Sequence, residues 1–207
     1  MAIVQTGLTL EEFLQLPEEK PALEYLDGVV THGNTDVGIL RDAFALAEVP
    51  EEKWRAQLPE IRKMLCSFVN DKRQELCVNL LPQVRRVLEH LGNKGAKVGV
   101  ATGNLEEIGK RKLEAVQILE MFHFGGWSDA FEDRSGVFRA AGEIARLHAG
   151  PAATIVAVGD TPADVQAARR NGLEVIAVAS GIYRFEELQA ERPELCIRSF
   201  EELMPSS

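Results

Sequence analysis

Cysteine is scarce in this chain: three in 207 residues, Cys66, Cys77 and Cys196, with no C-x-x-C spacing among them. Such a set suggests neither a disulfide framework nor a zinc site, and the three read as ordinary buried or half-buried thiols. Positive charge is also short, with 23 Lys and Arg against 32 Asp and Glu and a formal net charge of -9. A chain of that sign lacks the basic face a phosphodiester backbone requires, so nucleic acid is not an expected partner. No apolar run reaches the length of about 18 residues that a membrane-spanning helix needs, so no membrane partner is expected either. The opening stretch MAIVQTGLTLEEF shows neither a charged leader nor a cleavage pattern, which makes the cytoplasm the expected location. Internal repeats and low-complexity tracts are absent. What remains, 45% hydrophobic and 27% charged, is enough to bury one α/β core with a smaller appendage.

The most informative stretch is TIVAVGDTPADV, residues 154–165. Ile155, Val156, Ala157 and Val158 form a short apolar run suited to a strand buried on both faces of a parallel sheet, and Gly159 ends it. Thr161 or Asp160 can cap the helix that follows, and Pro162 fits its first turn. Asn171-Gly172 closes that helix and a second apolar strand starts at once, giving a strand-helix-strand unit. Ligands of open α/β sheets bind outside the strand carboxyl ends, so Asp160 and Asp164 form a candidate hard-cation site. Asp and Pro also open helices that bind nothing, and it is the second strand that favours the ligand reading.

Along the rest of the chain, Thr9 caps a helix that Pro17 ends, residues 22–26 alternate as a strand, Asp27-Gly28 turns, and residues 29–31 resume an extended run. Residues 36–89 read as largely helical, punctuated by Pro50 and Pro59, with a further helix starting at residues 80–84. That length is too great for a simple crossover, so residues 35–77 are expected to be a helical cap inserted into a core formed by residues 1–34 and 78–207. Residues 97–101 form a buried strand that ends in Thr102-Gly103-Asn104. A helix over 105–121 carries Lys110, Arg111 and Lys112; Lys110 and Lys112 are within reach of the site by position, but lysines on a helix are usually solvated and these two are expected to be. Residues 122–127 show no periodicity, and Glu132-Asp133-Arg134-Ser135 precedes an amphipathic helix over 137–147. The fold class expected is α/β, a Rossmann-like three-layer α/β/α core with a small helical cap.

The set VATGN, EDR and VGDTPADV resembles the haloacid dehalogenase (HAD) superfamily, mostly phosphatases, and is closest to its phosphoglycolate-phosphatase-like branch. The resemblance implies Mg2+ held by Asp160 and Asp164, a phosphoryl group bound by Thr102 with Gly103 and Asn104, and Arg134 in place of the commoner lysine. It implies a small phosphorylated metabolite as substrate. In that family two aspartates flank one residue on the first strand, a nucleophile and then a general acid and base. Here the stretch reads Tyr25-Leu26-Asp27-Gly28, so Asp27 matches the second and Tyr25 stands in the nucleophile's slot. A phenol is a poor magnesium ligand and is not activated for attack at neutral pH. Two readings follow, a magnesium-dependent phosphohydrolase impaired at Tyr25, or a catalytically inactive relative that binds a phosphorylated ligand or a protein partner. Residues 8–31 also resemble the amino-terminal segment of a bacterial endonuclease family with a restriction-endonuclease-like fold. Nuclease activity is the least expected outcome, because the carboxylates and lysine such enzymes place downstream have no counterpart here.

Overall fold

Val175 and Ala177 are fully buried because β6 (Glu174–Val178) is the middle strand of a parallel sheet ordered β5-β6-β7, flanked by β5 (Val156–Gly159) and β7 (Leu195–Ile197). The computed structural model describes residues 4–6 and 28–204. Gly159 pairs with Ala177 and Val178 with Ile197, so the carboxyl ends of these strands share one edge of the sheet. A second parallel pair joins β3 (Gly99–Ala101) to β4 (Phe124–Gly126), and β1 (Val4–Thr6) runs antiparallel to β2 (Val78–Leu80). Among the described residues no ladder joins β3 to β5. Instead Val100 and Ala101 of one and Val156, Ala157 and Val158 of the other line an apolar cavity of about 560 Å³.

The helices are α1 (Asp36–Leu46), α2 (Glu51–Asp71), α3 (Val84–Asn93), α4 (Glu106–Ala115), α5 (Arg134–Ala149), α6 (Pro162–Arg170) and α7 (Phe185–Ala190). Their starts follow local chemistry: the side chains of Thr35, Asp133 and Thr161 accept from the backbone N–H three residues on, and Pro162 takes the first helical position of α6. Val37 and Leu40 of α1 and Trp54, Leu58, Leu65 and Val69 of α2 share one buried cluster with Leu105 and Ile108. The pair therefore rests on α4, with Phe44 stacked on Trp54 at 5.7 Å.

Several expectations are corrected. Residues 29–31 form no strand; Gly28 and Gly33, at φ +97 and +77, turn the chain here. Pro59 lies inside α2 and does not end it, since the buried seam continues from Trp54 and Leu58 to Leu65 and Val69 on either side. Val78–Leu80 is a strand, not part of a helical stretch; its partner lies more than 70 residues away, beyond any local period. The helix expected over 105–121 stops at Ala115, where Gln117 adopts φ +57. Phe124–Gly126 is a strand although its sequence has no alternation. A Cβ on Gly126 would stand 2.8 Å from both Ala141 Cβ and Val137 O, so α5 lies too close for a side chain there. Val156, expected to be buried on both faces, is 45% exposed.

Candidate functional site

Asp164 is fully buried in the first turn of α6, and both of its oxygens are engaged. Oδ2 accepts from Thr161 Oγ1 at 3.0 Å, Thr161 N at 3.2 Å and Asp160 N at 3.3 Å. Oδ1 accepts from Arg134 Nε at 2.8 Å and Nη2 at 2.7 Å. Burial alone would raise the pKa of this carboxyl, but opposing influences, among them the charge of Arg134 and the hydrogen bonds from Arg134 and Thr161, together hold the group below the usual carboxylate range. Asp160 goes the other way: burial first, and then the charge of Asp164, push its pKa up to about 6. A side chain at Gly181 would approach Asp160 Oδ2 to 2.5 Å, so the chain after β6 closes directly over this carboxylate.

Arg134 is the first residue of α5, and its side chain is only 10% exposed. Beyond Asp164 it reaches two further segments: Nη1 donates to Asn34 O at 3.5 Å and stands 2.8 Å from where a Cβ of Gly103 would be. Gly33 completes the ring of contacts, since a Cβ there would lie 3.2 Å from Thr161 Oγ1. Residues 33–34, 103, 134 and 160–164 thus meet at the carboxyl ends of β3 and β5.

Thr102, 5% exposed, extends the β3–β4 ladder by donating its N–H to Gly126 O at 3.1 Å. Its Oγ1 accepts from Asn104 N at 3.2 Å, and among the described residues no acceptor takes the hydroxyl hydrogen. Asn104 is turned inward. Its Nδ2 donates to Asp36 Oδ1 at 3.1 Å and its Oδ1 accepts from Lys112 Nζ at 3.0 Å. Asp27 and Tyr25 lie outside the described residues.

The sequence reading missed Asn34, Thr35, Asp36 and Lys112. Thr35-Asp36 could be seen as a helix opening, yet nothing local shows that Asp36 binds a loop almost 70 residues on. Lys110 pairs with Glu106 at 2.6 Å on the surface as expected, but Lys112 does not behave as a solvated lysine. Burial lowers its pKa, with Asp36 opposing that shift.

No group of three or more His, Cys, Asp or Glu suited to a metal ion occurs among the described residues. Asp160 fits a hard cation that takes one or two protein carboxylates and completes its shell with water and a phosphate. Asp164, with both oxygens committed, fits the place behind it.

The profile of the family described as haloacid dehalogenase-like hydrolase matches residues 30–178. The chain is 25% identical over 159 residues to a Caldanaerobacter subterraneus protein bearing the pyrophosphatase name PpaX, covering 77% of this chain and 70% of that one. It is 24% identical over 124 residues to the phosphoglycolate phosphatase of Pseudomonas syringae, covering 60% of this chain and 46% of that one. Among solved structures, a beta-phosphoglucomutase from Clostridium difficile superposes with a TM-score of 0.63 at 13% identity, covering 94% of this chain and 82% of that one. A HAD phosphatase from Thermococcus onnurineus gives 0.58 at 20% identity with the same coverage, 94% and 82%. These structures share the α/β fold. The segment over 8–31 that resembles an endonuclease gains no support, being almost wholly outside both the family match and the described residues. Because the match takes in the 102–104 loop, Arg134 and the 160–164 turn together, this chain belongs to the haloacid dehalogenase-like hydrolases.

Proposed function

We propose that the site is that of a magnesium-dependent phosphohydrolase acting on a small phosphorylated metabolite. The observation that carries this reading is the placement of Arg134, a nearly buried cation fixed by Asp164 and set against Gly103. A phosphoryl group bound between Thr102 and Asp160 would meet the Thr102 hydroxyl and the Arg134 guanidinium, both already oriented. Gly103 keeps the loop free of a side chain where Arg134 approaches, and Asn104 holds the loop from behind. Asp160 would bind magnesium, with Asp164 fixing its turn; bound there, the ion would offset phosphoryl charge. Asp27 would act as general acid and base. With a phenol in the nucleophile's slot, turnover would be slow. Helices α1 and α2 would serve as the cap, and residues 33–36 as its junction with the core.

One finding favours a second reading, binding without hydrolysis: the family match begins at residue 30, after Tyr25 and Asp27. Calorimetry with inorganic phosphate and magnesium, run beside an aryl phosphatase assay, separates the two. Binding and turnover that are both lost in Arg134→Met support the hydrolase, and binding without turnover supports the second reading. Absence of both in the wild-type protein would overturn the phosphoryl site itself.

A further inference from the structure

Three successive residues of the loop after β3 are held by one side chain and backbone from a different part of the molecule. Asp36 N donates to Gly103 O at 2.6 Å, Asp36 Oδ1 accepts from Asn104 Nδ2 at 3.1 Å, and Asp36 Oδ2 accepts from Leu105 N at 2.8 Å. An aspartate in the first turn of α1 is suited to the positive end of its own helix, but that role is filled by Thr35, whose Oγ1 accepts from Gly38 N at 2.8 Å. Asp36 is therefore available to a second helix. Leu105, at the N-cap position of α4, has no side chain that can accept a hydrogen bond. Its own N–H is taken by Asp36, and the next, Glu106 N, donates to Asp129 Oδ2 at 2.8 Å. The start of α4 is thus satisfied by two carboxylates from elsewhere in the chain.

Lys112 completes the arrangement from inside α4. Its ammonium donates to Asn104 Oδ1 at 3.0 Å while Asp36 accepts from the other end of the same amide. Donor and acceptor on opposite sides leave that amide one orientation. Asn104 in turn donates its backbone N–H to Thr102 Oγ1 at 3.2 Å, taking up one acceptor site of the hydroxyl. Removal of either charge would leave the other desolvated without its counterpart, a costly state.

We propose that Asp36 is a positioning residue, acting with Lys112 through Asn104 to set the Thr102 hydroxyl and to latch the inserted helical pair onto the 102–105 loop. Its effect on the loop stands alone; its effect on phosphoryl binding rests on the function proposed above. Nuclear magnetic resonance on labelled protein reads the first, through amide exchange at Leu105 and the side-chain amide signals of Asn104. Calorimetry with inorganic phosphate and magnesium reads the second. Asp36→Ala should speed exchange at Leu105 by at least about tenfold, move the Asn104 signals and weaken phosphate binding roughly tenfold, as expected for charge-assisted hydrogen bonds. Asp36→Asn keeps an oxygen for Leu105 and should restore most of its protection, while Lys112→Met should move the Asn104 signals and leave Leu105 protected. If Asp36→Ala does not fold, the last two variants carry the test. Unchanged exchange and unchanged Asn104 signals would overturn the proposal, whether or not phosphate binds. A wild-type protein that ignores phosphate but shows these loop effects would overturn the phosphoryl reading and retain the latch.

Discussion

The turn at residues 160–164 and the loop at residues 102–105 stand at neighbouring strand ends, yet they are stabilised in opposite ways. In the turn, Thr161 and Asp164 cap each other within one helical turn, and among the described residues only Arg134 donates a hydrogen bond to Asp164 from elsewhere. In the loop almost every partner is remote: Asp36 holds Leu105 and Asn104, Asp129 holds Glu106, and Lys112 fixes the Asn104 amide. A site of this kind thus joins one half that folds from its own sequence to another that forms only when distant elements are docked. The first half should lose stability when cut, and the second should lose alignment.

The largest expected effect comes from Arg134, the remote cation paired with the turn. Arg134→Met leaves Asp164 buried without its counterion and should cost about 3–5 kcal/mol in urea unfolding, as for other broken buried pairs. A loss under about 1 kcal/mol would mean that the turn does not depend on this cation.

Asp160 sharpens the contrast through pH. Its carboxyl, pushed up to about 6, is easier to protonate in the folded chain than in the unfolded one, so its contribution to stability is present below about 4 and is lost as pH rises through about 6. Asp160→Asn should therefore stabilise the metal-free protein at pH 7.5 by an amount on the order of 1–2 kcal/mol and leave it unchanged near pH 4. Thermal unfolding across that range would show it, and equal stability of the two proteins at pH 7.5 would mean that the ionised Asp160 carboxylate costs the fold nothing. Thr161→Ala, which deletes the local cap, should cost about 1 kcal/mol by the same measurement. A cost near zero would show that the turn is held by Arg134 alone.

This division also explains what could be read from the sequence. The β5–α6–β6 unit was legible because its apolar run, its cap and its closing Asn171-Gly172 are contiguous, and VGDTPADV carried the family resemblance with them. Strand β4 was not, because the glycines that hide its alternation answer to Trp127 and to the backbone of α5, which no local pattern contains. Helical spacing leaves Lys112 among the solvated residues because it says nothing of the loop this lysine faces. Asp36 stands in the sequence only as the start of a helical stretch, with nothing local to mark its partners in the loop. Thr102, Gly103, Arg134, Asp160 and Asp164 were singled out from motifs, whereas their linkage through Asn34 and Asp36 depends on how α1 docks.

The central claim, that these strand ends form a phosphoryl-transfer site lacking its nucleophile, is tested most directly by Tyr25→Asp. With magnesium present, the substitution restores a carboxylate to the slot that the sequence motif gives the nucleophile. Hydrolysis of an aryl phosphate should then rise by at least roughly tenfold, about 1.4 kcal/mol in barrier. High wild-type activity left unaltered by the substitution, or an inactive protein that gains nothing from it, would contradict the account.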